Sequence, residues 1–114
     1  MIQVRIYKKN GVIFGIKAEN HSADIVCAAV SALVINTANS IKKFTGAELV
    51  LDYDEKGGFL KFTLPELKRG ESRPDAELLL NSLELGLESI KEQYKEIRIK
   101  YVGAAGHVRP VKPE

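Results

Sequence analysis

The sequence is short of most features that would fix a function at sight. In 114 residues it has one cysteine, one methionine and no tryptophan. A single cysteine makes neither an internal disulfide nor a zinc site alone, so a reduced, cytoplasmic protein is expected. Charge of one sign is also missing: 17 lysines and arginines stand against 15 acids, for a formal net charge of +2. The cations are spread along the chain, which predicts no direct nucleic-acid contact, because such binding needs a concentrated basic face. Long hydrophobic runs are absent too. The longest, Ile25 to Ile35 broken only at Ser31, is too short to span a bilayer. The opening MIQVRIYKKNGV lacks the apolar core and small-residue cleavage site of a signal peptide.

What is present reads as one domain, with 45% hydrophobic and 28% charged residues. Ile2, Val4 and Ile6 alternate with Gln3, Arg5 and Tyr7, the pattern of a half-buried strand. Asn10-Gly11 is a hairpin signal, and Val12 to Lys17 is the returning strand. Ile25 to Phe44 is predicted helical, its first three turns apolar nearly all round and therefore buried. Lys42 and Lys43 suit its C-terminus and Gly46 its end.

Glu48 to Tyr53 and Phe59 to Leu64 form a second predicted hairpin around Asp54-Glu55-Lys56-Gly57-Gly58. Residues 65–75, PELKRGESRPD, read as a polar, mobile loop. Beyond it, Ala76, Leu80, Leu83, Leu87, Ile90 and Tyr94 recur at four-three spacing as one helical stripe. Pro74 falls in the first turn, and Glu77, Glu84, Glu88, Lys91 and Glu92 form the wet side. Ile97, Ile99 and Tyr101 make a last strand. The domain is expected over 1–102, with a disordered tail over 103–114 that carries His107. The order ββ-α-ββ-α-β predicts an α+β fold, a mostly antiparallel sheet with two helices on one face.

The chemistry concentrates in NHSADIVCAAVS, residues 20–31. Asp24, Cys27 and Ser31 stand at i−3, i and i+4 and share one helical face. Asp24 is a natural N-cap, which makes Cys27 the third helical residue. There the unpaired amides and the positive end of the helix dipole favour a thiolate, the reactive form. His21 could take the proton, and the same amides could receive an oxyanion. The bland alternatives are equally concrete. Cys27 would be a small buried hydrophobe, Asp24 only a cap, Ser31 bonded to a carbonyl one turn back, and His21 a loop residue.

The octapeptide Asp24-Ile25-Val26-Cys27-Ala28-Ala29-Val30-Ser31 resembles the signature of the ribosomal-processing cysteine proteases, the Prp family. Asn36 and Asn39 at the helix end, the Gly57-Gly58-Phe59 hairpin, the leucine-rich second helix and Ile97-Arg98-Ile99 also look like family features. The resemblance implies an endopeptidase that removes the N-terminal extension of a large-subunit ribosomal protein, the twenty-seventh, after an aromatic-rich segment. It implies Cys27 as nucleophile and His21 as general base, with Asp24 and Ser31 supporting. It also implies a homodimer, a ribosomal-protein precursor as peptide partner, no membrane partner, and no metal or cofactor.

One departure stands out. Only Ser22 and Ala23 separate His21 from Asp24, where the family pattern has a longer glycine-containing loop, and Asn20 stands in place of glycine. The shortening has three readings: a mobile loop missing from the printed chain, which is the expectation, a deliberate deletion, or a naturally shortened and inactive homologue. Two other function classes remain beside the protease: a non-enzymatic dimerising module that binds ribosomal proteins, and a redox-sensing thiol protein.

Overall fold

Asn10 and Gly11 take φ of 54° and 81°, the pair of left-handed residues that a two-residue hairpin turn needs. They join β1 (Ile2–Lys9) to β2 (Val12–Glu19) in the computed structural model, which describes residues 1–20 and 24–103. Then follow α1 (Ile25–Phe44), β3 (Val50–Tyr53), β4 (Phe59–Thr63), α2 (Pro65–Lys68), α3 (Pro74–Gln93) and β5 (Ile97–Gly103). The fold is α+β, as the element order predicts.

The five strands form one sheet in the order β3-β4-β2-β1-β5. Three of the four neighbouring pairs are antiparallel, but β5 runs parallel to β1, with Ile2 opposite Ile97 and Lys8 opposite Gly103. The sheet is therefore mixed. The connections β2–α1–β3 and β4–α3–β5 are both crossovers that carry a helix over the sheet, which is how two helices come to share one layer. β5 extends through Gly103, a residue that the sequence pattern assigns to the tail. Residues 104–114, with His107, lie outside the described residues.

The core is the layer between one sheet face and the helices. Val4, Ile6, Ile16, Ala18 and Phe62 meet Val30, Val34, Ile41, Leu80 and Leu87, all essentially inaccessible. The predicted α3 stripe holds at Ala76, Leu80, Leu83 and Leu87, with Ile90 half-buried. Tyr94 is instead the residue that ends the helix, and it is exposed.

α1 departs further from expectation. It is long and apolar enough to cross a membrane by composition alone, but it lies in this core through Val26, Cys27, Val30, Val34, Thr37, Ala38 and Ile41. Its other face carries Ile25, 74% exposed, Ala28, Ala32 and Ile35. Among the described residues nothing lies over that side of the two-layer fold, so the helix is half exposed rather than buried all round.

The expected loop at 65–75 is also more ordered than its composition suggests. Pro65 starts α2, where a missing N–H costs nothing, and Leu67 is buried. The Glu48 amide donates to Glu66 Oε1 (3.0 Å), and Arg73 Nη2 donates to the Thr45 carbonyl (2.8 Å).

Two contacts fix how α3 sits. Gly86 faces α1, where an added Cβ would lie 3.0 Å from Leu33 Cδ1. On the side toward β5, the Tyr101 hydroxyl lies 2.6 Å from Glu84 Oε2 and 2.8 Å from Glu88 Oε2. One hydroxyl proton serves one carboxylate at a time, and Lys8 Nζ, 3.4 Å from Glu84 Oε2, offsets their charge. Burial, then the two carboxylates, hold the phenol protonated far above its ordinary range. Glu84 and Glu88 are thus cross-links as well as wet-side residues.

Gly86→Val should cost about 1–3 kcal/mol by overpacking, read by urea denaturation. Adding Leu33→Ala to it should return part of that loss. Tyr101→Phe should cost about 1 kcal/mol, a fall of roughly 4–8 °C in Tm for a domain this size. An unchanged melting curve would show that the hydroxyl does not tie α3 to β5.

Candidate active site

Asp24 caps α1 in the way its position predicts. Its backbone is extended, and its Oδ1 accepts from the Cys27 amide at 2.8 Å. The Ala28 amide then donates to the Asp24 carbonyl at 3.2 Å. Cys27 is the third residue of the helix, with its side chain turned toward the sheet and 4% exposed. The amide of Cys27 itself is thereby engaged by the cap. Helix geometry leaves the amides of Ile25 and Val26 without intrahelical partners.

Beside the cap opens a groove of about 460 Å³. Asp24, Cys27 and Ser31 all line it, so the structure brings together three of the four residues that the sequence singles out. The fourth, His21, lies outside the described residues, as do Ser22 and Ala23. The chain runs without a break through this stretch in all 114 residues. The longer loop of the family pattern is therefore not a missing segment but a real shortening of this chain.

The opposite wall comes from residues that the sequence reading did not place at the site: Tyr53, Asp54, Gly57 and Leu60 of the β3–β4 hairpin. Asp54 builds the tip. Its Oδ1 accepts from the Lys56 amide and its Oδ2 from the Gly58 amide, each at 3.1 Å, while its own amide donates to the Phe59 carbonyl at 3.0 Å. Gly57 has φ of 85°, a conformation that side chains resist. The tip is then held to the end of β2, since the Asn20 amide donates to the Gly58 carbonyl at 3.3 Å. Asn20 itself has φ of 64°, tolerable for asparagine, so the chain turns toward α1 without the glycine of the family pattern. Ile35 continues the Asp24–Cys27–Ser31 face one turn on and lines the far end, a position that helical spacing would have flagged.

The comparisons with known proteins come down on one side. The sequence profile of the family described as cysteine protease Prp matches residues 1–100. This chain belongs to the Prp family of cysteine proteases. It is 38% identical over 76 residues to the ribosomal processing cysteine protease Prp of Bacillus subtilis, covering 67% of this chain and 68% of that protein. Against the protein of the same name from Staphylococcus aureus it is 33% identical over 79 residues, 68% and 71% of the two chains.

Solved structures agree. The essential Prp from Staphylococcus aureus in complex with a substrate peptide superposes with a TM-score of 0.79 at 27% identity, over 89% of this chain and 99% of that one. The same protease with a covalently linked product peptide gives a TM-score of 0.80 at 28% identity, with the same coverage. Among the described residues, no group of three or more His, Cys, Asp and Glu side chains could hold a metal ion.

The cap can be tested apart from the chemistry. Asp24→Ala should destabilise the Prp fold by about 1 kcal/mol, and Asp24→Asn by much less, since asparagine caps nearly as well. Urea denaturation reads both. Equal losses would show that the carboxylate charge, not the cap hydrogen bond, holds the start of α1.

Proposed function

We propose that this chain is a cysteine endopeptidase that removes the N-terminal extension of a large-subunit ribosomal protein, the twenty-seventh. The observation that carries this reading is the placement of its sole cysteine. Cys27 stands at the third position of α1 on the wall of the groove, in a chain that belongs to a cysteine protease family. The Staphylococcus relative with a covalently linked product peptide supports a covalent route.

In that route the Cys27 thiolate attacks the scissile carbonyl, and the carbonyl electron pair moves to oxygen. The tetrahedral oxyanion is received by amides at the start of α1. With the Cys27 amide given to Asp24, those of Ile25 and Val26 fit the role better. The intermediate collapses to a thioester as the amine leaves with a proton from His21. His21 then takes a proton from water, the hydroxide attacks the thioester, and the carboxylic product and free thiol return. Asp24 acts through the cap, and Ser31 borders the same groove.

The substrate end of the reading rests on β3. It is one of the two edge strands of the sheet, Val50 to Tyr53 are exposed along its whole length, and Tyr53 lines the groove. An extended peptide could add to that edge and lead its scissile bond to Cys27. The protein is placed in the cytoplasm and works as a homodimer in this reading.

The short join between His21 and Asp24 favours a second reading, a family member that binds the precursor without cutting it. Incubation with precursor protein, followed by intact mass, separates the two. Loss of the extension is expected. Cys27→Ala, Cys27→Ser and His21→Ala should each slow it on the order of 10³-fold or more. Cleavage surviving in Cys27→Ala would remove the nucleophile assignment, and binding with no mass change would establish the second reading.

A further inference from the structure

α1 and α3 cover one face of the sheet, and strand pairing fixes which residues point from the other. Arg5 pairs with Lys17 and with Lys100, and Lys17 pairs with Lys61. Arg98, opposite Gln3, belongs to the same row parity. Neighbouring residues in a sheet share a face, so Arg5, Lys17, Lys61, Arg98 and Lys100 all lie on the side away from the core. The only carboxylates sharing that side in these strands are Glu19, opposite Gln3 and Phe59, and Asp52, opposite Lys61.

Five cations against two carboxylates exceed the net charge of the whole chain, +2, so the remainder is net acidic. α3 shows where the acid went, with Asp75, Glu77, Glu84, Glu88 and Glu92 against Lys91. The molecule is polarised, with a basic sheet face and an acidic helix layer. Arg5 and Lys17 share one carboxylate, Glu19. Arg98 and Lys100 are exposed and enter no ion pair among the described residues.

Aromatic rings interleave with these charges. Lys17 Nζ lies 5.0 Å from the centroid of the Phe59 ring, and Lys61 Nζ lies 5.2 Å from that of Tyr7. Both rings are half-buried, so part of each remains open. A lysine over a ring can swing to a phosphate and leave the ring for a base, since its stem is flexible and cation–π attraction is weak in water. Five strands about 4.8 Å apart make this face roughly 19 Å wide. Cations set around stackable rings on an open sheet suit a single strand with unpaired bases rather than a duplex.

We propose that the open sheet face binds single-stranded RNA, apart from the groove at Cys27. The charge and ring geometry argue for a single-stranded nucleic acid. The choice of RNA over DNA rests on the ribosomal-precursor reading above, whose substrate is a protein that assembles with RNA. The spread of lysine and arginine along the sequence hid this surface because strand pairing, not sequence proximity, gathers it.

The test is fluorescence anisotropy of labelled twelve-residue oligouridylate with the full chain. Binding is expected to weaken with salt at a log–log slope of about −3, from four or five phosphates at about −0.7 each. Arg98→Glu with Lys100→Glu should weaken it about tenfold or more, with far-UV circular dichroism confirming the fold. Lys42→Glu with Lys43→Glu, at the far end of α1, should change it less than about twofold. Cys27→Ser should bind like the parent, so that failure of the protease reading and of this one are told apart.

The proposal is overturned if oligouridylate does not bind at low salt, or if the two double variants lose binding equally. It is equally overturned if oligothymidylate, a twelve-base-pair duplex, polyglutamate or anionic phosphatidylserine vesicles bind as tightly as the RNA.

Discussion

One apolar layer, closed between two helices and a single face of the sheet, decides the rest of this molecule. Period-two alternation in β1 and β2 commits Ile2, Val4, Ile6, Ile16 and Ala18 to that layer. Every other residue of those strands must then face away from it. The wet side of the sheet is a necessary product of the dry side. With one helix layer and no second among the described residues, the outer flank of α1 and the far face of the sheet both remain accessible, and both carry residues that the core has no use for.

The same layer explains why Cys27 satisfies both of its opposed readings. Its side chain is nearly inaccessible, as expected of a small hydrophobe in a core helix, yet it lines the groove. The first turn of α1 lies where the core ends and the β3–β4 hairpin begins, so a residue there touches both. Burial of the thiol was never an argument against chemistry at this position. The cap sharpens the geometry in another way. By taking the Cys27 amide, Asp24 moves the unpaired donors toward the helix start, to Ile25 and Val26.

What the sequence made legible was local. Both hairpins, the limits of α1, the Asp24 cap and the α3 stripe follow from turn residues and periodicity over a few residues. What it hid was long-range. A parallel β5 alternates just as an antiparallel one would, so nothing in Ile97, Ile99 and Tyr101 announces β1 as their neighbour. α2 was hidden because four residues carry no period, and Leu67 reveals its burial only once folded. The hairpin wall of the groove went unseen for the same reason. Tyr53 and Leu60 look like ordinary strand residues until β4 pairs with β2 and sets them opposite Ser31 and Ile35. The basic face is the clearest case, because cations scattered over a hundred residues become neighbours only through the ladder.

The short join before α1 bears on how the groove is held. Asn20 and Asp24 are four links apart, at most about 15 Å along a fully stretched chain. Asn20 is itself tied to the hairpin tip through Gly58. The start of α1 is therefore tethered closely to β2 and to the wall it faces. A longer loop would let helix and hairpin move with little loss of closure entropy. Here the separation of Cys27 from Tyr53 and Leu60 is set by the sheet and by Asp54's four hydrogen bonds at the turn. Positive φ at Asn20 and at Gly57 lets the end of β2 and the hairpin tip meet through the Asn20–Gly58 hydrogen bond, which fixes the far wall against the strand that leads to α1.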